Sequence, residues 1–327
     1  MNNDNSLLKI DNLSVQYTSN RQIIHAVNNI SLSLNAGKAI ALVGETGAGK
    51  TTIAKAILRI LPRPQGKITN GSIMLDGRDI LQLSEPEMRK IRGKKVSMVF
   101  QDPMTSLNPV IRVGEQIAEV IRKHSASNAK DAQSQAAEML EMVGIDGKRA
   151  EEYPHQFSGG MKQRVVIAMA LACNPNLLIA DEPTSALDVT IQAQILEMMI
   201  NLRNNNNSAL ILITHDLGVV GEMCDNIAII YAGEILEYGD KREIFSHPAH
   251  PYTKGLFAAI PNIHSKTKRL ANIHGLPPDP SDLPVGCCFN PRCGFATDIC
   301  RRQKFPIAEI APSHFCGCIL AQQGGNV

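Results

Sequence analysis

Two hydrophobic patterns alternate along the chain. Segments in which polar and apolar residues alternate are typical of antiparallel strands with one covered face. They are Lys9–Tyr17, Ser31–Leu34 and Ser72–Leu75. Segments that are almost wholly apolar favour strands buried on both faces, as in a parallel sheet covered by helices. They are Ile40–Val43, Met98–Phe100, Leu177–Ala180 and Leu210–Ile213.

Helical periodicity fills the stretches between these segments. Apolar residues within Ile53–Leu61 share one face of a helix that Pro62 is expected to end, and the same spacing recurs within Ala136–Val143. No convincing strand lies within residues 114–160, so we interpret this stretch as a helical insertion.

The last part of the chain has a different pattern. Residues 227–238 predict a hairpin that turns at Ala232-Gly233, and prolines become frequent after Pro248. We therefore expect an α/β fold with a mostly parallel sheet, an N-terminal antiparallel β subdomain, a helical subdomain inserted at about residues 103–172, and an irregular, cysteine-rich C-terminal appendage.

Composition narrows the classes of function. The 33 basic and 31 acidic residues give a formal net charge of +2, which provides no broad positive field for nucleic acid. The apolar segments are far shorter than the roughly 20 residues that span a bilayer. Residues 1–8 lack a basic region followed by an apolar stretch, so we expect no secretory signal and a cytosolic chain.

A glycine-rich segment follows the first apolar strand. Its residues are Gly44, Glu45, Thr46, Gly47, Ala48, Gly49, Lys50 and Thr51. The pattern is that of a loop whose backbone N–H groups wrap phosphates, with a lysine on the β and γ phosphates and a threonine hydroxyl on Mg²⁺. The alternative is an ordinary glycine turn between a strand and a helix.

Two carboxylates follow the third apolar strand. Asp181 is suited to hold the magnesium shell, and Glu182 to polarise an attacking water, because phosphoryl transfer mostly requires positioning and charge neutralisation. The alternative is a solvated strand end or a helix cap. Their position downstream of a phosphate loop favours the catalytic interpretation.

Polar residues follow the other two apolar strands. Gln101 can reach magnesium or water, and His215 can hydrogen-bond a γ phosphate, although either residue alone is more often structural. Farther along, Ser158, Gly159 and Gly160 begin a predicted helix and form a second anion-binding pattern. Its alternative is a capped helix with a glycine turn.

These motifs resemble those of ABC transporter nucleotide-binding subunits over residues 7–245. The resemblance implies a P-loop ATPase core in which two subunits sandwich two ATP molecules, with Gln101, Glu182 and His215 catalytic. It implies that the glycine loop binds ATP together with Tyr17, at the adenine, and Thr52. The residues implied to bind Mg²⁺ are Thr51, Gln101 and Asp181. Those implied to face ATP held by the partner are Ser158, Gly159, Gly160, Gln163 and Asp188, the last in the D-loop Ser185–Asp188.

A narrower resemblance covers nearly the whole chain, with residues 246–327 as an extension. Residues 100–109, 250–253 and 290–293 are similar to segments of dipeptide and oligopeptide importer ATPases. This implies a second homologous ATPase subunit or a second copy of the chain, two membrane permease subunits, an external solute-binding protein, no nucleic acid, and a place on the cytoplasmic face of the cell membrane. Peptides lead as the solute, ahead of nickel complexes, glutathione and small saccharides. The rival classes are an ABC ATPase acting on ribosomes or DNA, and a nucleotide-binding regulator without turnover.

Six of the eight cysteines crowd the C-terminal end. In a reducing compartment such clustering favours a metal centre over disulfides. Cys287, Cys293, Cys300 and Cys316 are separated by five, six and fifteen residues and lack the tight pair usual in zinc sites. The importer resemblance implies that these four hold a [4Fe-4S] cluster, with zinc and free thiols as alternatives; Cys288 and Cys318 are extra.

Overall fold

The computed structural model describes residues 6–102, 106–125, 128–184, 189–259 and 273–324. The strands in these ranges are β1 Leu8–Ser19, β2 Gln22–Leu34, β3 Ala39–Val43, β4 Gly66–Leu75, β5 Arg78–Asp79, β6 Val96–Val99, β7 Leu177–Asp181, β8 Ala209–Ile213, β9 Asn226–Tyr231, β10 Glu234–Asp240, β11 Ala308–Ala311 and β12 His314–Cys316. The helices are α1 Lys50–Leu58, α2 Glu85–Ile91, α3 Val113–His124, α4 Ala129–Met142, α5 Gly159–Leu171, α6 Val189–Asn206, α7 Leu217–Met223, α8 Lys241–Ser246, α9 Pro251–Ala258, α10 Asp298–Arg302 and α11 Ile319–Gln322.

The chain folds into two compact bodies. Among the described residues, the first contains those up to Leu8, Ser33–Ala39 and Met74–Met223, and the second contains Lys9–Leu32, Ile40–Ile73 and those from Cys224 onward. Both bodies combine helices with sheet, so the predicted α/β class is confirmed.

A parallel sheet forms the core of the first body. Its strands run in the order β6-β7-β8, with Val96 level with Leu177 and Leu177 level with Ala209. Every residue of these three strands is buried, as their apolar sequences predict. Burying one Leu or Ile side chain contributes about 1.5–3 kcal/mol, so this sheet is a stable support for the residues at its ends.

The helical insertion lies between β6 and β7 in the chain. Helices α3, α4 and α5 pack on one another and on a 3-10 helix at Gly147–Glu151. Helix α4 begins at an Asn128 cap, whose side chain accepts the Asp131 N–H at 2.9 Å. Within the described residues the insertion has no strand, as its sequence indicated.

The second body carries two sheets. One is antiparallel, with β1 between β2 and β4. In the other the order is β11-β12-β10-β9-β3, where β3 and β9 are parallel and the remaining pairs are antiparallel. The extension was expected to be irregular, and its described residues form mostly short elements and loops, yet they contribute β11 and β12 to this sheet.

Several predicted elements have different bounds in the structure, including β4, which begins at Gly66 instead of Ser72, and β6, which spans Val96–Val99 instead of Met98–Phe100. Helix α1 ends at Leu58 instead of Leu61, because Arg59 adopts a left-handed backbone (φ 53°) whose N–H closes the last turn. Strand β2 begins at Gln22, well before Ser31. Asn29, within it, has φ 51°, and such a residue interrupts the regular alternation that marks a strand.

Candidate nucleotide site

The glycine-rich segment joins β3 to α1 in the second body. Gly47 and Gly49 have φ of 81° and 103°, a region that side chains with a Cβ rarely adopt. A Cβ on Gly44 would lie 2.0 Å from the carbonyl oxygen of Ile230. Backbone geometry therefore explains all three glycines of the segment.

Lys50 forms hydrogen bonds with the start of the glycine-rich loop. It is 8% exposed, and its Nζ donates to the carbonyl oxygens of Gly44 at 2.7 Å and Glu45 at 2.9 Å. Helix α1 begins here without a side-chain cap, so its first turn presents backbone N–H groups and the positive end of the helix dipole. This is the arrangement that binds an anion at a helix start.

Tyr17 lies beside the same helix. Its hydroxyl donates to Oγ1 of Thr52 at 3.3 Å, and its ring lies against Gly66, where an added Cβ would be 2.9 Å from Cε1. The structure thus brings Tyr17 and Thr52, both expected at the nucleotide, to the first turn of α1.

A second cluster lies at the carboxyl ends of the parallel strands in the first body. Glu182 follows β7, and its two carboxylate oxygens have different partners. Oε2 accepts from Nε2 of Gln101 at 2.9 Å, and Oε1 lies 3.3 Å from Nδ1 of His215. The three side chains expected to be catalytic are therefore hydrogen-bonded to one another.

Glu182 is held in an unusual conformation. Its φ is 47°, which is sterically costly for a residue with a Cβ. Residues in such strained conformations cluster at functional sites. Its N–H donates to the Ile213 carbonyl at 2.8 Å, which fixes it to β8. The side chain is 21% exposed, whereas His215 is 75% exposed, so solvent reaches the imidazole freely.

Asp181 is the last residue of β7 and is only 3% exposed. A carboxylate in this position, with the amide oxygen of Gln101 in the same body, has the oxygen donor chemistry that Mg²⁺ prefers, and a threonine hydroxyl has the same donor type. The residues expected to hold magnesium therefore fit it chemically.

The serine-glycine segment caps α5. Ser158 Oγ accepts the Met161 N–H at 3.3 Å, and a Cβ on Gly159 would meet no atom within 4 Å, so space lies open in front of the helix start. Gln163, 3% exposed, donates to the Pro183 carbonyl at 2.7 Å, which ties α5 to the segment after Glu182. Asp188 and the rest of the D-loop, Ser185–Asp188, lie outside the described residues.

Four cysteines of the extension line one small cavity. They are Cys287, Cys293, Cys300 and Cys318. Burial raises the pKa of Cys287 to about 11, and the three neighbouring thiols add to the shift. Thiols gathered in this way have the donor chemistry of a thiolate-bound metal centre. Their arrangement is not that of a formed centre, since no group of three or more His, Cys, Asp or Glu side chains in the described ranges is placed to hold a metal ion.

Cys316, expected as the fourth ligand, does not line this cavity, although its thiol interacts electrostatically with Cys287 and Cys318. It is fully buried in β12, where it shares the inner face of the strand with His314. Cys318 follows the end of that strand, at the start of α11. The difference arises because two cysteines two residues apart look alike in the sequence, and only the point at which the strand ends separates their surroundings.

Two further residues of the extension contact the glycine loop. Arg292 pairs with the Glu45 carboxylate at 2.8 Å, and the hydroxyl of Tyr252 accepts the Glu45 N–H at 3.0 Å. Sequence reasoning assigned them no role, although both lie in segments that mark the importer resemblance. Those segments were the available signal, but they carry no information on what the side chains touch.

Comparison with known proteins places these features in a family. The chain matches the ABC transporter family model over residues 27–185 and the oligopeptide/dipeptide transporter C-terminal region over residues 236–300. It is 46% identical to an oligopeptide transport ATP-binding protein of Bacillus subtilis (strain 168), over 94% of this chain and 87% of that protein. It is 45% identical to a dipeptide transport ATP-binding protein of the same organism, over 97% and 95%.

Solved structures resemble the chain over about three quarters of its length. An ATP-binding cassette solved as a dimer with ADP and phosphate superposes with a TM-score of 0.65 and is 30% identical, covering 72% of this chain and 99% of that one. A component of a cbiONQ ABC transporter complex from Clostridium perfringens gives a TM-score of 0.63 at 26% identity, covering 74% and 92%. Across the part of the chain that the structure describes, no helix is long and apolar enough to cross a bilayer.

Proposed function

The chain belongs to the family of oligopeptide and dipeptide transport ATP-binding proteins, and we propose that it hydrolyses ATP to drive the uptake of peptides through a membrane importer. The observation that carries the proposal is the hydrogen-bonded cluster of Glu182, Gln101 and His215 at the strand ends, in a chain that also has a complete phosphate loop. A carboxylate held between an amide and an imidazole can orient a water for attack on a phosphate.

We assign the remaining residues by the same reasoning. The loop from Gly44 to Thr51 binds the phosphates, with Tyr17 at the adenine. Thr51, Gln101 and Asp181 hold Mg²⁺, which neutralises phosphate charge when bound. The residues assigned to ATP held by a partner subunit are Ser158, Gly159, Gly160, Gln163 and Asp188; the open space before Gly159 supports this role.

The working complex that we propose is peripheral to the membrane. The chain pairs with a homologous ATPase subunit or a second copy and contacts two permease subunits at the cytoplasmic face of the cell membrane. An external binding protein selects the solute. Residues 7–245 form the ATPase domain, with the helical subdomain at about 103–172, and residues 246–327 form the extension.

We also propose that the extension holds a [4Fe-4S] cluster through Cys287, Cys293, Cys300 and Cys318. The shared cavity supports this ligand set, with Cys318 in place of Cys316. The protein purified without oxygen is expected to absorb broadly near 400 nm and to contain iron and sulfide, by analogy with other thiolate-bound iron. Stoichiometric zinc in a colourless protein would contradict the cluster, and metal-free thiols would contradict any metal centre.

Peptide uptake in cells tests the proposed function. Cells that lack the gene are expected to lose growth on di- or oligopeptides as the amino-acid source, and the wild-type gene, but not Glu182→Gln, is expected to restore it. If the cells lost the uptake of nickel, glutathione or a saccharide and kept the uptake of peptides, that other compound would be the transported solute. If the protein co-purified with ribosomes instead of permease subunits, the importer function would be rejected.

A further inference from the structure

The extension holds the phosphate loop through an ion pair with little solvent access. Nη1 of Arg292 donates to Oε2 of Glu45, the second residue of the loop, at 2.8 Å, and the side chains are 6% and 26% exposed. Exposed ion pairs contribute little because water screens them. A pair with a nearly buried guanidinium is screened much less.

The guanidinium has no freedom to follow Glu45 if the loop moves. Its Nη1 also donates to the Tyr231 hydroxyl at 3.2 Å, its Nε to the His274 carbonyl at 3.1 Å, and its Nη2 to the Ile273 carbonyl at 3.3 Å. Burial lowers the pKa of Arg292, but the hydrogen bonds to Glu45 and Tyr231 outweigh this effect and raise it overall. Arg292 is thus a fixed positive charge.

The backbone of Glu45 is fixed at the same time. Its N–H donates to the hydroxyl of Tyr252, which is fully buried, at 3.0 Å. Its carbonyl accepts from Nζ of Lys50 at 2.9 Å and from the Ala48 N–H at 3.1 Å. A displacement of Glu45 would therefore displace Lys50, the residue assigned to the phosphates.

The ion pair also has an electrostatic effect on the loop. Glu45 places a carboxylate in the loop that binds the negatively charged phosphates of ATP, and nearby charges of the same sign repel each other. The Arg292 charge compensates this carboxylate. Without it, the loop would carry an uncompensated negative charge next to the phosphates.

We propose that Arg292 and Tyr252 are positioning residues for the phosphate loop, so that nucleotide affinity depends on the folded extension. This inference rests on the proposed function, because it assumes that the loop binds ATP. Arg292 is the last residue of a 3-10 turn between Cys287 and Cys293, and the Asn290 N–H of that turn donates to the Cys287 carbonyl at 2.9 Å. A change in the cysteine segment is therefore transmitted to the loop.

Nucleotide titration of the full-length chain tests the inference. Arg292→Ala is expected to raise the Kd for MgATP about tenfold, and Tyr252→Phe about threefold, which corresponds to the loss of one hydrogen bond of about 0.5–1.5 kcal/mol. The kcat at saturating ATP, measured with the companion subunit, is expected to stay within about twofold, because neither residue touches the reacting atoms. The matched control is Arg301→Ala, which removes an exposed ion pair with Asp298 in the same extension and is expected to leave the Kd unchanged.

A double substitution tests the coupling itself. Arg292→Ala with Glu45→Ala is expected to bind ATP no more weakly than Arg292→Ala alone, because the carboxylate that needed compensation is gone. If the two effects simply add, the coupling is refuted. If Arg292→Ala does not fold, judged by its thermal unfolding, Arg292→Lys and Tyr252→Phe carry the test, and wild-type affinity in both overturns the inference.

The outcome also separates this inference from the function on which it rests. If the wild type does not bind ATP, or Lys50→Ala binds it equally well, the phosphate-loop assignment fails. If the wild type binds and Lys50→Ala does not, while the extension variants match the wild type, only the positioning role fails.

Discussion

Glu182→Gln is the substitution that most directly probes the proposed chemistry. The replacement has almost the same size and keeps one side-chain oxygen, so it can still accept from either Gln101 or His215. It removes the negative charge that would orient and polarise a water. The backbone at this position is left-handed, with φ 47°. Glutamine has the same branching as glutamate, so the substitution does not change the steric cost of this conformation.

The expected magnitude separates a catalytic from a structural role. A positioned base contributes about 10²–10⁴ in rate, which corresponds to a barrier higher by about 2.7–5.4 kcal/mol. The structural loss is one hydrogen bond at a partly exposed group, about 0.5–1.5 kcal/mol. We therefore expect a fall in kcat of at least a hundredfold, with a melting temperature and an ATP affinity close to those of the wild type.

Phosphate release at saturating MgATP measures the turnover, and calorimetric titration measures binding separately. Glu222→Gln serves as the matched control, because this glutamate is exposed on α7 of the same body and is expected to leave turnover unchanged. A fall of less than tenfold with intact ATP binding would refute the role of Glu182. A larger fall in turnover that was explained by a loss of ATP binding would also refute the role of Glu182.

Three other outcomes are expected. Lys50→Ala should abolish measurable ATP binding in a titration, because the loop loses both its phosphate charge and the hydrogen bonds that close it; unchanged affinity would contradict the loop assignment. Burial lowers the pKa of His250 from 6.5 to about 4, so its neutral form stabilises the fold above pH 6.5 and this contribution is lost as the pH falls toward 4. His250→Asn, which can still cap the Tyr252 N–H, should flatten that part of a stability–pH profile, and an unaltered slope would reject this account. Cys318→Ser should remove absorption near 400 nm from anaerobically purified protein while Cys316→Ser retains it, and the reverse result would restore Cys316 as the ligand.

Much of the nucleotide site can be predicted from the sequence because its motifs encode local geometry. Gly47 and Gly49 are needed for their positive φ, and the polar residues that follow apolar strands are placed together by the parallel sheet. The meeting of Gln101 with Glu182 and His215 follows from that topology, since the carboxyl ends of β6, β7 and β8 lie at one edge.

Contacts that depend on the fold of the extension are beyond such reasoning. Neither charge pattern nor periodicity indicates that Arg292 pairs with Glu45, because the surface and interior positions of an irregular segment follow no period. The choice between Cys316 and Cys318 depends on where β12 ends. That end is set by the pairing of β12 with β10, which a single sequence does not display.

The partners in the ion pair of the phosphate loop are separated by 247 residues. A ribosome that adds about 5–20 residues per second finishes the glycine loop roughly 12–50 seconds before it reaches Arg292. Throughout that interval the nascent chain carries the glutamate of the loop without its counter-ion. Full affinity for nucleotide is thus reached only after Arg292 has been synthesised. A prematurely terminated fragment would therefore compete poorly for the cellular ATP pool.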